Sequence, residues 1–295
     1  MALYAFDGTG NEDKRDTEHD SNVLFFFNAY DDPLKTQETT KDGRSVYLKG
    51  IGARAKEIVG KSVAEAFGIG GHERIKEALT RLDKNVAAHD TDIDIVGFSR
   101  GAALAISFAN TLAEKRPGLT IRFMGVFDIV GEFGLPGEHL NAGHNLSSPK
   151  NVKRCYHAMA LDEHRAVFQL TRLAKSDAPP NDGMVEVWFR GVHSDVGGGN
   201  DNPHLNWVAL NWMYRNALRE GLRLVPNALE ENLKRRRDPQ KISDKFEIGP
   251  LRKIRDNDLL HASVQLDKGS FIHPHNNPKG PIARIDDDGN ITPAA

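Results

Sequence analysis

The residues whose types and spacing could do chemistry begin with Gly97-Phe98-Ser99-Arg100-Gly101. A serine with glycine two places before and two after is a weak pattern alone, because both residues are common. Its setting gives it meaning. Ile93-Asp94-Ile95-Val96-Gly97 reads as a buried, largely β-branched strand, and residues 102–114 read as a helix of small and apolar residues. A serine on a sharp strand-to-helix turn is presented at the sheet edge as a nucleophile. The flanking glycines leave room for the turn, and Gly101, Ala102 and Ala103 let the helix lie close to the strands. The helix N-terminus brings N–H groups and partial positive charge to a developing oxyanion. A purely structural turn is the competing reading.

A serine nucleophile needs a base and a group that orients the base. In a strand-turn-helix arrangement of this kind the chain order is serine, then acid, then histidine. Asp128 ends the next apolar stretch, residues 120–127, and is expected at the carboxyl edge of the sheet beside Ser99. His193 lies four residues past the apolar strand at 185–189, in the glycine-rich loop 191–203, and is the expected base. His157 is the second candidate base. His72, His89 and His164 read as helix residues. Asp195, two residues from His193, is an alternative orienter, or holds its own loop by accepting backbone N–H groups.

Two backbone N–H groups complete such a site. One belongs to Arg100, after the nucleophile. The other is expected from Gly8 or Thr9 in the early turn Asp7-Gly8-Thr9-Gly10-Asn11. Asp7 braces that turn, touches substrate or binds a cation. Asn11, Asp195 and His157 are further candidates to support the set or contact substrate. Asp7-Gly8-Thr9 also invites comparison with phosphatases that carry Asp-x-Asp-Gly-Thr after the first strand. Their nucleophile is the first aspartate, and Ala5 stands there. No Gly-x-x-x-x-Gly-Lys-Ser/Thr loop is present. Asp7, Asp195, Asp201 and His204 match no metal-ligand spacing, so no metal and no cofactor are expected.

The elements that must position these residues follow. Residues 2–6 and 46–48 read as strands, residues 73–89 as a helix, and 93–127 as a strand-helix-strand unit. Residues 132–150 form a long loop with little period. Residues 152–161 are mixed, 163–175 suggest a helix, 185–189 a strand, and 205–219 a helix. Ser21 or Asn22 could cap a short helix after the first loop. No internal repeat is present. A single domain over 1–268 is expected, with an irregular or partly disordered tail over 269–295.

Composition sets the outer limits. The chain has 295 residues, 39 Lys plus Arg, 41 Asp plus Glu, a net charge of −2, and 39% hydrophobic residues. That balance is not the basic footprint of a nucleic-acid binder. The run Lys234-Arg235-Arg236-Arg237 reads as a solvated helix end. One cysteine, Cys155, excludes an internal disulfide framework and multi-cysteine metal sites. No apolar run reaches the ~20 residues of a membrane helix. The first residues lack the basic and apolar regions of a signal peptide, so the chain is expected in the cytoplasm as synthesised.

With these residues in hand, the sequence resembles the uncharacterised α/β-hydrolase domain family that includes phospholipase effectors of bacterial type VI secretion systems. The matching blocks are Phe6-Asp7-Gly8-Thr9-Gly10-Asn11, Gly97-Phe98-Ser99-Arg100-Gly101-Ala102, Val126-Phe127-Asp128-Ile129-Val130-Gly131, Tyr156-His157-Ala158-Met159-Ala160-Leu161-Asp162-Glu163, and Trp188-Phe189-Arg190-Gly191-Val192-His193-Ser194-Asp195-Val196-Gly197-Gly198-Gly199, with His261-Ala262-Ser263-Val264 a weaker match. The sequence departs from the family's pattern at Phe127, Ile129, Glu132 and Asn200, which bear on substrate more than on the triad. The resemblance implies an α/β-hydrolase-like fold, a mostly parallel sheet with helices on both faces. It implies a Ser-Asp-His triad at Ser99, Asp128 and His193, and cleavage of an acyl ester such as that of a glycerophospholipid. It also implies transient contact with a membrane surface, export by a type VI system, and a secretion-system or immunity partner. An esterase or thioesterase for a soluble molecule, and a non-catalytic binding module on a hydrolase fold, are the alternatives.

Overall fold

The computed structural model describes residues 1–14, 18–37, 41–52, 63–131, 144–174, 183–200, 204–236, 242, 249–265 and 276–294. In chain order the elements are β1 (Ala2–Phe6), α1 (Asn22–Ala29), β2 (Val46–Leu48), α2 (Val63–Ala87), β3 (Ile93–Phe98), α3 (Ser99–Lys115), β4 (Ile121–Phe127), β5 (Val152–Ala160), β6 (Met184–Phe189), α4 (His193–Gly197), α5 (Asn206–Arg219), α6 (Ala228–Arg235), β7 (Leu259–His261), β8 (Arg284–Ile285) and β9 (Ile291–Thr292). The strands form one sheet in the order β2-β1-β3-β4-β5-β6-β7-β8-β9. Every neighbouring pair is parallel except β8–β9.

Helices cover both faces, which is why β1 and β3 are largely apolar rather than alternating. All of β1 and β3 is buried. Alternation along β1 sends Leu3 and Ala5 into a core with α1 and α5, and Ala2, Tyr4 and Phe6 into a core with α2 and α3. One charge interrupts β3. Asp94 is buried, and it accepts from Tyr30 Oη at 2.8 Å and from Arg122 Nη2 at 2.5 Å. The fold is α/β-hydrolase-like.

The register places the site. Gly97 pairs with Val126 and Phe98 with Phe127, so Ser99 and Asp128 leave adjacent strands at the same carboxyl edge. Phe127 in turn pairs with Ala158, and Asp128 N donates to Ala158 O at 2.7 Å.

Several elements differ from expectation. The helix expected over 163–175 is a single 3₁₀ turn, Ala166–Phe168, within irregular chain. The amides that a helix would use go elsewhere. His164 N and Arg165 N donate to Glu163 Oε1, Thr171 N to Ile129 O, and Leu173 N to Glu186 Oε1. The mixed stretch after 151 is β5, and the loop 191–203 contains α4. The helix expected over 73–89 starts earlier, at Val63, and ends at Ala87, with His89 in left-handed backbone at φ 61°. Of the expected irregular tail, Arg284–Ile285 and Ile291–Thr292 are strands on the sheet, while 269–275 and 295 lie outside the described residues. So do 132–143 of the long loop, Asp201, and Arg237 of the basic run. Lys234 of that run pairs with Glu230 and Glu231, and Arg235 lies over Phe25 and Trp207. Ser21 caps α1 by accepting from Leu24 N at 3.2 Å. No helix among the described residues is long and apolar enough to cross a membrane.

Candidate active site

Ser99 stands at the join of β3 and α3 with φ 57°, a left-handed conformation that costs a non-glycine residue energy and persists where packing imposes it. The packing is visible in the neighbouring glycines. A Cβ on Gly101 would lie 2.2 Å from Asp7 O and 2.5 Å from Phe6 O, and one on Gly97 would lie 2.7 Å from Ala102 Cα. Glycine there lets α3 press against β1 and β3, and the turn at Ser99 follows.

His193 opens α4, and its ring reaches both partners. Nε2 lies 2.8 Å from Ser99 Oγ, and Nδ1 lies 2.6 Å from Asp128 Oδ2. An ionised carboxylate can only accept, so the ring proton belongs on Nδ1 and Nε2 accepts from the serine hydroxyl. Ser99, Asp128 and His193 are all buried. Phe98 and Phe168 flank the imidazole, each with its ring centroid 4.6 Å away. Burial holds the imidazole below its ordinary pKa, although the Asp128 carboxylate pulls the other way. For Asp128 burial opposes ionisation, but the Arg252 charge and the His193 hydrogen bond prevail and hold the carboxyl well below its usual range.

Three contributors to this geometry were not among the candidate site residues read from the sequence. Arg252 donates through Nη1 to Asp128 Oδ1 at 2.5 Å and through Nη2 to Oδ2 at 2.9 Å. Glu163 accepts from the His193 backbone N at 3.0 Å, and Arg165 holds it in a two-point pair. Burial works against the Glu163 charge, yet Arg165 brings the carboxyl down to about 2. Phe168, over the imidazole, is the third. Only the family block around residue 163 touched this region of the sequence.

The other candidates have separate places. Asp195 accepts from Val192 N at 3.0 Å and from Asn200 Nδ2 at 2.9 Å, which braces the loop. His157 is fully buried. Its Nε2 accepts from Ile129 N at 3.2 Å, and its Nδ1 lies 2.9 Å from Glu186 Oε1, which puts it behind the Asp128 turn. Asp7 accepts from Gly8 N at 2.7 Å, Asn11 Nδ2 at 3.3 Å, Ser21 Oγ at 2.5 Å and Tyr47 Oη. Burial pushes its pKa up against those four bonds. The bond to Asp7 engages the Gly8 amide, which leaves Thr9, exposed at the tip of the same turn, as the early-loop candidate beside Arg100.

A cleft of about 340 Å³ is walled by Phe168 and Arg252, which touch His193 and Asp128, and by Arg165, Arg172, Trp188 and Leu251; Ser99, Asp128 and His193 do not line it. Among the described residues no group of three His, Cys, Asp or Glu side chains is arranged to hold a metal ion.

No curated protein matches the chain. A crystal structure of an uncharacterized protein from Pseudomonas aeruginosa is similar, with TM-score 0.53 and 22% identity, over 78% of this chain and 48% of that one. This chain thus spans about half of that protein and shares its fold. A model of the family described as T6SS, phospholipase effector Tle1-like, catalytic domain, matches residues 3–115 and 107–216. The chain belongs to that family.

Proposed function

We propose that the chain is a serine hydrolase that cleaves acyl esters of phospholipids through Ser99, His193 and Asp128. The observation that carries this reading is the continuous relay from Ser99 Oγ through His193 to Asp128, at 2.8 Å and 2.6 Å. Ser99 Oγ attacks the ester carbonyl while His193 Nε2 takes its proton. Backbone N–H groups of Arg100 and Thr9 hold the oxyanion. His193 then gives the proton to the leaving alcohol, and an acyl-Ser99 ester remains. Water, deprotonated by the same imidazole, releases the fatty acid and restores Ser99. Asp128 keeps the Nδ1 proton in place and stabilises the imidazolium. Membership of a phospholipase effector family supports a lipid substrate. It also supports delivery by a type VI system, transient contact with a membrane surface, and an immunity partner.

The test pairs a serine-reactive fluorophosphonate probe with two substrates, a water-soluble short acyl ester and phospholipid vesicles. Wild type should label and cleave both, and Ser99→Ala neither. Failure of folded wild type to label would favour a binding module on this fold. Turnover of the soluble ester with none on vesicles would limit the activity to soluble esters or thioesters.

A further inference from the structure

Arg252 lies beyond residues 3–216, the span matched by the family model, in the irregular chain that leads to β7. Its side chain is 7% exposed, and each of its two Nη atoms makes two hydrogen bonds. Besides its two bonds to Asp128, Nη1 donates to Ala160 O at 2.7 Å and Nη2 to Phe168 O at 2.8 Å. Its own carbonyl accepts from Asn276 Nδ2 at 2.8 Å. One guanidinium therefore joins the orienting carboxylate, the end of β5, and the residue whose ring covers His193. A planar fork suits such a task, since it fixes a carboxylate at both oxygens where an ammonium would act as a point charge.

The charge arithmetic around His193 is also altered. A serine-histidine relay ordinarily leaves the acid as the unopposed anion behind the imidazole. Here the anion is paired on its far side with a cation. The charged or titratable groups facing His193 are Asp128 from the end of β4, Ser99 from α3, Glu163 at its backbone N from the chain after β5, and Arg252 behind Asp128. On its own helix Asp195 is turned to Val192 N. A cation behind Asp128 disfavours both a protonated carboxyl and an imidazolium.

We propose that Arg252 is a positioning residue of the triad, which holds the Asp128 carboxylate in the orientation His193 uses and keeps both groups in their working protonation states further into acid. This rests on the triad reading. Without Arg252, Asp128 protonates at higher pH and His193 charges at higher pH. The group that protonates first on acidification is His193, so its change moves the acidic limb of the rate profile upward.

The experiment compares wild type, Arg252→Lys, Arg252→Met and Ser99→Ala on a soluble short acyl ester across pH. Arg252→Met should lower kcat on the order of tenfold to a hundredfold, since small misplacements of a relay cost that much. It should leave KM within about twofold, and raise the acidic limb of kcat/KM on the order of half a pH unit or more. Arg252→Lys keeps a charge without the fork. Its limb should stay nearer wild type while kcat still falls, which serves if the methionine variant does not fold. Ethylguanidinium added to Arg252→Gly should restore part of kcat. Arg252 variants that fold with the wild-type limb and kcat would overturn the assignment while Ser99→Ala stays inactive. Wild-type turnover in Ser99→Ala would instead overturn the triad reading itself.

Discussion

Ser99 and Asp128 are both non-glycine residues in left-handed backbone, at φ 57° and 41°, at the carboxyl ends of the paired strands β3 and β4. Val130 N donates to Ser99 O at 3.3 Å, so the two turns are tied to each other. Strain of this kind is held by the surrounding packing and contributes nothing to stability. Ser99→Ala should therefore cut ester turnover on the order of 10⁴-fold or more without lowering the melting temperature. Ser99→Gly relieves the φ cost, roughly 1 kcal/mol, and should melt no lower than Ser99→Ala. A glycine variant clearly less stable than the alanine one would mean that the turn is not strained.

The pH profile of wild type follows from the burial of His193. The proposed relay requires a neutral imidazole, and burial moves the titration of His193 below the ordinary value for a histidine. Activity should be flat through pH 7 and fall only below the range where an exposed imidazole titrates. Stability has the same sign. The unfolded chain binds a proton at His193 more readily than the folded one, so this residue's contribution shrinks as pH falls through the unfolded value. The measurement is kcat/KM against pH on a soluble ester. An acidic limb centred above the ordinary histidine value would show that Asp128 outweighs burial.

That Ser99, Asp128 and His193 converge was legible because each sits within a few residues of a strand end, where local pattern is strong. Arg252, Glu163 and Phe168 were not legible, because they reach the site from irregular chain whose partners are distant in sequence. The helix expected over 163–175 fails for the same reason. Its amides find Glu163, Ile129 and Glu186 instead of carbonyls four residues back. Strands β7, β8 and β9 hold three, two and two residues, too short for an alternation to register. For Asp7 and Asp195 the loop-bracing reading agrees with their contacts, since both accept from their own turns.

Two glycines near the site should separate backbone from side-chain crowding. A Cβ at Gly101 meets the carbonyl oxygens of Phe6 and Asp7, which belong to the buried strand β1 and its turn and cannot yield. Gly101→Ala should destabilise by about 3 kcal/mol, the upper end of overpacking. A Cβ at Gly197 meets the Phe98 ring at 1.9 Å, and that ring covers His193. Gly197→Ala should displace the ring, lowering kcat on the order of tenfold with a smaller loss of stability. Urea melts and turnover on the same samples give the comparison. Equal stability losses in the two variants would contradict it.

Asp7 is a buried carboxyl group beside four donors, none of them a cation. Burial raises its pKa, so the folded state holds the Asp7 proton more tightly than the unfolded chain, and ionisation at neutral pH costs stability. Asparagine keeps the shape and an oxygen for Gly8 N, while its amide can donate to the hydroxyls of Ser21 and Tyr47, which can turn to accept. Asp7→Asn should match or exceed wild-type stability, and any advantage should grow as pH rises, because a raised folded pKa makes ionisation of Asp7 costly. Asp7→Ala leaves the Gly8 amide and two buried hydroxyls without their acceptor, and should cost on the order of 2–3 kcal/mol. Melting temperatures of the three proteins between pH 5 and pH 8 decide it. If Asp7→Asn were as unstable as Asp7→Ala throughout, the carboxylate charge, and not its shape and acceptors, would be what holds the Gly8–Thr9 turn against the elbow at Ser99.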